Sequence, residues 1–84
     1  MNKLMIIYNN FSLKKQCDKL KEETSELIEA LNENDIKHIE EEFADVIVLL
    51  KQFMIEYNLD KQNIKNNIDF KIKRTLDRIK NNYY

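Results

Sequence analysis

The chain contains no glycine and no proline in its 84 residues. These two residues form most tight turns and interrupt helices, so their absence favours long helices over hairpins. Turns must then form at asparagine and aspartate, and the segments NEND (32–35) and YNLD (57–60) are the obvious positions. The sequence therefore predicts an all-α protein whose principal helices are separated at these two segments.

Hydrophobic residues recur at steps of three and four residues and predict three principal helices. The first has Ser12 as its N-cap and ends near Asn32, and the second begins at Asn34 or Asp35. The third begins at Asp60, and the sequence leaves undecided whether this helix frays or breaks near residues 66 and 67. The opening segment MNKLMIIYNN adds a short helix or covers a partner.

Each predicted helix carries one apolar stripe, which we expect to form the core. Cys17 lies in the first stripe, and Phe43, Phe53 and Tyr57 lie in the second, so we expect these side chains to pack inside. The second helix is apolar on almost every side, which predicts burial on several sides. The stripes contain Leu13, Cys17, Leu20, Thr24, Leu27 and Leu31 in the first helix, Ile39, Phe43, Val46, Leu50, Phe53, Met54 and Tyr57 in the second, and Ile64, Ile68, Ile72, Leu76 and Ile79 in the third.

The length and composition limit the class of protein. A chain of 84 residues is predicted to be one helical domain, residues 1–84, with a small core. No apolar run approaches the roughly 20 residues that span a bilayer, no signal peptide is recognisable, and one cysteine excludes an internal disulfide framework. We therefore expect a cytoplasmic protein. Its many Lys, Asn and Ile residues are typical of an AT-rich genome, and its size would suit a phage or mobile element.

Two pairs of carboxylates lie beside the stripes, at the boundary of the predicted core. Glu23 and Glu26 lie on the first helix, and Glu42 and Asp45 lie on the second. Two antiparallel helices packed about 8–10 Å apart would turn all four toward a shared space. Their mutual repulsion calls for hard divalent cations, Mg²⁺ above all. The two flanks consist of Gln16, Lys19, Glu23, Glu26 and Ala30, and of His38, Glu42, Asp45, Leu49 and Gln52.

A single glutamate pair on a helix is more often solvated surface charge than a metal site. Two observations favour the metal site here. The pairs recur on consecutive helices, and charge is segregated along the chain. Residues 22–45 contain ten acidic side chains and one lysine, whereas residues 61–80 contain seven lysines and arginines and two aspartates. An acidic cluster with a basic helix nearby is what a metal–phosphate ligand requires.

The segments EETSEL and EEFADVIVLL resemble the EExxE…ExxD signature of the MazG-like all-α nucleoside triphosphate pyrophosphohydrolases, over roughly residues 13–80. This family includes dimeric dUTPases and phosphoribosyl-ATP pyrophosphohydrolase. The resemblance implies that Glu23, Glu26, Glu42 and Asp45 bind Mg²⁺, with Mn²⁺ as the alternative ion. It also implies that the metals hold the triphosphate and activate water for attack at the α-phosphorus, which yields a monophosphate and pyrophosphate. Such activity would clear or balance a nucleotide pool.

The segment FKIKRTLDRI (70–79) is similar to the later basic helix of that family, which contacts the phosphates. The helical projection places Lys71, Arg74 and Arg78 together beside the third stripe and Lys73 on the opposite side, so we expect the first three to bind phosphate. Arginine can bind phosphate through two parallel hydrogen bonds. Lys19, one turn before the first metal ligands, contacts a phosphate or screens the carboxylates.

The expected partners are a nucleoside triphosphate and further copies of the chain. One chain has too few helices to enclose its second helix, so we expect a helical bundle completed as a dimer or dimer of dimers. A nucleobase also needs an aromatic or apolar wall, which Tyr8, Phe11 or the C-terminal tyrosines would supply. His38 is expected to be exposed. The resemblance implies that Glu22 and Glu41 point outward, with a supporting role behind the metal ligands as the alternative for Glu22.

Two other classes of protein are considered. A carboxylate-bridged di-iron bundle needs Glu-x-x-His pairs, and His38 does not lie three residues after a glutamate. A non-enzymatic helical interaction module, or a nucleic-acid-binding module that uses the basic third helix, is the main alternative. The net charge of −1 argues against extended binding to a phosphate backbone.

Overall fold

A computed structural model describes residues 2–82, and four helices with no strand make up this part of the chain. They are α1 (Lys3–Asn9), α2 (Leu13–Glu33), α3 (Ile36–Glu56) and α4 (Lys61–Lys80). The predicted all-α fold is confirmed, with α2, α3 and α4 as the three principal helices and α1 formed by the opening segment. Tyr83 and Tyr84, considered as a base wall, lie outside the described residues.

Each principal helix begins at a side chain that accepts a hydrogen bond from a backbone N–H of its first turn. Ser12 has this role for α2, Asp35 for α3 and Asp60 for α4. These caps satisfy N–H groups that have no partner within the helix. The predicted starts of α2 and α4 are confirmed, and Asp35 rather than Asn34 is the cap of α3.

Asparagine occupies the backbone positions that glycine usually takes at helix ends. Asn34, Asn58 and Asn82 have left-handed φ angles of 57°, 49° and 59°. Asparagine tolerates this conformation better than most residues, since its short polar side chain forms local hydrogen bonds. The two predicted turn segments are therefore confirmed. Helix α4 runs without a break through residues 66 and 67.

Helices α2 and α3 form an antiparallel pair joined by a two-residue turn. Gln16 near the start of α2 contacts Gln52 near the end of α3, whereas Glu26 and Glu42 meet closer to the turn. Helix α1 packs against α3, where the rings of Tyr8 and Phe53 meet edge to face with centroids 6.0 Å apart. This aromatic contact fixes α1 at the open end of the pair.

The face buried between α2 and α3 is the polar flank, and the prediction that the apolar stripes form the core of one chain is wrong. Cys17 is exposed, as are Phe43 and Tyr57, whereas Phe53 is half-buried and packs against Tyr8 as expected. The two helices meet along their flanks, and within residues 2–82 the stripes stay partly exposed although α1 packs on α3 at Phe53. The buried residues of this pair are Gln16, Glu23 and Ala30 on α2 and Glu42, Leu49 and Gln52 on α3.

Helix α4 has no buried residue. Its apolar stripe lies open to solvent within the chain, except for the half-buried Ile64. The exposed members of the stripe are Ile68, Ile72, Leu76 and Ile79. Among the helices of residues 2–82, none is both long enough and apolar enough to span a membrane.

Candidate active site

Three predicted metal ligands meet near the middle of the α2–α3 pair. Glu23, Glu26 and Glu42 each offer a carboxylate oxygen, and these three oxygens all lie within 4.8 Å of one another. Glu23 and Glu26 are one helical turn apart on α2, and Glu42 faces them from α3. The helical projection therefore placed these three side chains correctly around one space.

The donor chemistry of this cluster fits a divalent cation. The Oε2 atoms of Glu23 and Glu42 are buried and lack a hydrogen-bond partner within the described residues. A buried carboxylate oxygen without a partner is unfavourable, and a cation coordinated to it would remove that cost. An all-oxygen set of carboxylates is the type of site that Mg²⁺, Mn²⁺ or Ca²⁺ occupies.

The electrostatics of the cluster agree with this chemistry. The negative charge of Glu23 raises the pKa of Glu26, and burial and the charge of Glu42 act in the same direction. Glu26 therefore resists ionisation when no cation lies among these carboxylates. Glu22 and Glu41 are exposed, as expected.

Asp45, the fourth predicted ligand, lies beside this cluster and is not part of it. It is exposed and shares with Glu23 the wall of a cavity of about 430 Å³. Lys19 also lines this cavity, and its Nζ lies 3.2 Å from Oε1 of Glu23. The hydrogen bond to Glu23 raises the pKa of Lys19. The ammonium group of Lys19 and the carboxylates of Glu23 and Asp45 therefore lie on the wall of the same cavity.

The cavity has a charged part and an apolar part. Its size is within the range of small-molecule sites. Helices α2 and α3 supply most of the wall, and α1 with the residues after it supplies the rest. The polar residues are Gln16, Lys19, Glu23, Asp45 and Gln52, and the apolar residues are Ile7, Phe11, Val48 and Leu49.

Two glutamines of the cavity wall form a buried hydrogen bond that the sequence analysis did not identify. Nε2 of Gln16 donates to Oε1 of Gln52 over 2.9 Å, and these residues are only 2% and 1% exposed. Gln16 lies seven residues before Glu23, and Gln52 lies seven after Asp45. Seven residues are about two helical turns. This spacing, which keeps amides and carboxylates on one face, is the signal that identifies them.

His38 is half-buried rather than exposed, and it lies between two carboxylates. Its Nδ1 is 3.3 Å from Oε2 of Glu33, and its Nε2 is 3.3 Å from Oε1 of Glu42. The hydrogen bond with Glu33 raises the pKa of His38, and Glu42 adds to the effect. His38 therefore contacts the carboxylate cluster from its outer side.

The basic residues of α4 are grouped differently from the expectation. Arg74 and Arg78 line a groove on α4 together with Lys73, although the projection placed Lys73 on the opposite side. Lys71 lines a separate groove beside Ile72. None of these side chains lines the cavity beside the glutamates.

Phe70 explains the grouping, because its ring lies in the groove. The guanidinium carbon of Arg74 is 5.9 Å from the centre of that ring, within the range of a cation–π contact. The aromatic ring and the long side chains on either side of it define one face of α4, and a projection based on the apolar stripe alone does not show this face.

Comparison with known proteins identifies the family. A family model described as the MazG nucleotide pyrophosphohydrolase domain matches residues 11–82. No curated protein and no solved structure matches the chain. The matched region contains all of α2, α3 and α4, and with them all the carboxylates of the cluster. The chain therefore belongs to the MazG nucleotide pyrophosphohydrolase family, as its carboxylate motif predicted.

Proposed function

We propose that the protein is a Mg²⁺-dependent enzyme that hydrolyses the α–β phosphoanhydride of nucleoside triphosphates, and so releases a nucleoside monophosphate and pyrophosphate. Its role would be to clear or balance a nucleotide pool. The observation that carries the proposal is the cluster of Glu23, Glu26 and Glu42, two of whose buried oxygens lack a hydrogen-bond partner within residues 2–82. The adjoining cavity supplies space for the rest of the nucleotide.

The metal would be held by the three clustered glutamates together with Asp45. When bound, it would neutralise phosphate charge and lower the pKa of a coordinated water. Mg²⁺ suits this arrangement because it is commonly held by a few carboxylates plus substrate phosphates, and Mn²⁺ is the alternative ion. Glu26 is the most accessible of the three glutamates, and the charge of Glu23 raises its pKa when no cation is bound.

Lys19 would guide the phosphate chain into the cavity. Its ammonium group already lies at the cavity wall and contacts Glu23, so a metal at the cluster would free it to donate to a phosphate oxygen. Lys71, Arg74 and Arg78 are the proposed further phosphate ligands. Because none of them lines the cavity of its own chain, we place them at the cavity of a neighbouring copy.

A dimer or dimer of dimers would supply that neighbouring copy. The apolar stripe of α4 and the outer faces of α2 and α3 are exposed within one chain. Contiguous apolar surface of this kind marks an interaction site. The basic α4 and the acidic region of α2 and α3 also have complementary charge, which favours association between copies.

Phe11 is the best candidate for the wall against which the nucleobase stacks. It lines the cavity and is 48% exposed, so one side of its ring is accessible. Tyr8 is unsuited to this role because it is buried against Phe53. Burial also raises the pKa of the Tyr8 hydroxyl, so the residue stays neutral within the fold.

The test is release of pyrophosphate from a panel of canonical and modified nucleoside triphosphates, with Mg²⁺ and with chelator. We expect turnover with Mg²⁺ only. Changing Glu42→Gln together with Asp45→Asn should lower kcat/KM by about a hundredfold or more, because metal ions contribute several kcal/mol of transition-state stabilisation. Helicity should be unchanged, since the substitutions relieve repulsion.

A matched control makes the same chemical changes at exposed positions. Glu41→Gln with Asp69→Asn removes two charges outside the cluster and should keep full activity. Normal turnover by the double variant at Glu42 and Asp45 would contradict the metal-site assignment. A folded protein with no turnover on any nucleotide, but with salt-sensitive binding to DNA or RNA, would favour the alternative of a binding module that uses α4.

A further inference from the structure

The buried glutamine pair lines the same cavity as Glu23 and is not part of the carboxylate cluster. Gln16 lies two turns of α2 away from Glu23, a distance of about 10 Å along the helix axis. The apolar part of the cavity, which includes Phe11 and Leu49, belongs to the same enclosure. A nucleotide whose phosphates lie at the carboxylates would therefore extend its base toward the amides.

We infer that Gln16 and Gln52 read the hydrogen-bonding edge of the nucleobase, and that they accept the amino and the keto form of a base alike. This inference rests on the proposed function, because the nucleotide must lie in this cavity. The two amides act as one unit, since each holds the other through the 2.9 Å hydrogen bond.

Each amide keeps one unused hydrogen-bonding atom. The bond uses Nε2 of Gln16 and Oε1 of Gln52, so Oε1 of Gln16 and Nε2 of Gln52 remain. Neither atom hydrogen bonds to a residue in the described part of the chain, and neither is among its fully enclosed polar atoms that lack a partner. The pair therefore presents one acceptor and one donor to the cavity.

The order of this acceptor and donor can be reversed without loss of the internal bond. If both amide groups turn over together, Gln52 donates to Gln16, and the two remaining atoms exchange their roles. No other described residue hydrogen bonds to either amide, so none fixes one order. Cytosine and adenine present an amino donor beside a ring-nitrogen acceptor. Uracil, thymine and hypoxanthine present a keto acceptor beside an N–H donor.

The inference predicts the substrate preference of the unmodified protein. The nucleotide with the preferred base and the nucleotide with its amino or keto counterpart should have kcat/KM values within about tenfold of each other. Both bases form the same number of hydrogen bonds with the two amides, and a difference of one hydrogen bond corresponds to only about tenfold. The pairs to compare are dCTP with dUTP and dATP with dITP. A preference of more than about a thousandfold within both pairs would contradict the inference that the two amides can exchange their donor and acceptor.

The variant that tests base recognition is Gln16→Met with Gln52→Met, which replaces both partners by apolar side chains of similar shape. Such double replacement is nearly neutral for stability, whereas removal of one partner is not. We expect kcat/KM for nucleotides to fall by about tenfold or more, since two hydrogen bonds to the base are lost. Inhibition by inorganic tripolyphosphate, which has no base, should change by less than about twofold. The matched control is Gln62→Met, at an exposed position of α4.

A second variant gives a result even where the first one fails to fold. Gln16→Glu places an acceptor-only carboxylate opposite Gln52, whose NH₂ group would turn toward it. Only acceptors would then face the cavity. An amino base and a keto base each present one donor and one acceptor, so each would lose one hydrogen bond, and kcat/KM should fall by about tenfold for both forms. Calorimetric binding of the matching monophosphates provides the same comparison without turnover.

The outcomes separate this inference from the proposed function. If nucleotides hydrolyse but both variants keep the kcat/KM of the unmodified protein, or weaken the binding of tripolyphosphate as much as that of nucleotides, the pair is only structural and the inference fails. If no nucleotide is hydrolysed, the proposed function fails. Monophosphate binding that is independent of both glutamines would then overturn the inference separately.

Discussion

Helices α2, α3 and α4 are of nearly equal length, but α2 and α3 bury residues between them and α4 buries none. The pair buries two glutamates and two glutamines between its helices, whereas α4 buries none of its residues. In both regions much of the apolar stripe is exposed within one chain, although α1 packs on the α3 stripe at Phe53. The comparison teaches that the interior of one chain is organised around the site rather than around an apolar core, and we propose that other copies cover the stripes.

The largest expected effect on stability is at Leu49, which is 4% exposed between the two helices. Leu49→Ala should lower the free energy of unfolding by about 2–5 kcal/mol, because it removes buried methyl groups and leaves a cavity. Urea denaturation followed by circular dichroism measures this change. A loss below 1 kcal/mol would show that α2 and α3 are not tightly packed at this position.

The same substitution on α4 tests the other side of the comparison. Leu76 is 61% exposed within one chain, so Leu76→Ala would change stability very little in a monomer. We expect a loss of about 1.5–3 kcal/mol instead, because a neighbouring copy would bury this side chain. The Tm of the unmodified protein should also rise with protein concentration. A Tm independent of concentration, together with a negligible loss, would mean that α4 stays uncovered.

Substitution of the N-caps should have a smaller effect on stability, and it can be measured in the same way for α3 and for α4. Asp35→Ala at the start of α3 and Asp60→Ala at the start of α4 should each lower stability by about 1 kcal/mol. Both losses follow from removal of an acceptor for backbone N–H groups. Asparagine caps as well as aspartate, so Asp60→Asn should restore the stability. Thermal denaturation measures all three variants, and an unaffected Asp60→Ala would show that α4 contributes nothing to cooperative unfolding.

The smallest expected effect is the pH dependence of Glu26. Its pKa is raised from the ordinary value of 4.5 by Glu23, so the folded state holds its proton more tightly than the unfolded state. Ionisation above that value therefore destabilises the fold. Glu26→Gln should be slightly more stable than the unmodified protein at pH 7, and the gain should vanish below about pH 4.

Added Mg²⁺ should change the difference in stability between the unmodified protein and Glu26→Gln. A bound cation would stabilise the unmodified protein more than the variant, so the gain from Glu26→Gln should shrink or reverse. The control is Glu29→Gln at an exposed position of the same helix. If Mg²⁺ raises the Tm of all three proteins equally, the carboxylate cluster is not its binding site.

The fold was predictable because its determinants are local. The absence of glycine and proline, together with the caps at Ser12 and Asp60, fixed the helices and two of their starts. The choice between Asn34 and Asp35 was not predictable, because both are good caps. In the structure Asn34 takes the left-handed conformation that closes α2, which leaves Asp35 to cap α3.

The buried face was not predictable, because a helical projection shows which residues share a face but not what covers it. Cys17 was expected inside because it lies in the apolar stripe, yet no second layer covers that stripe within one chain. The carboxylate flank was recognised through its charge. Gln16 and Gln52 lie on the same flanks, but uncharged amides resemble ordinary surface residues until their mutual hydrogen bond is seen.

The two-residue turn between α2 and α3 has a consequence for the kinetics of folding. Glu26 and Glu42, which meet across the helix pair, are only 16 positions apart in the chain. Contacts this close in sequence need little loop closure, and proteins rich in them fold in microseconds to milliseconds. We therefore expect the carboxylates to come together early in folding, before any slower association of copies.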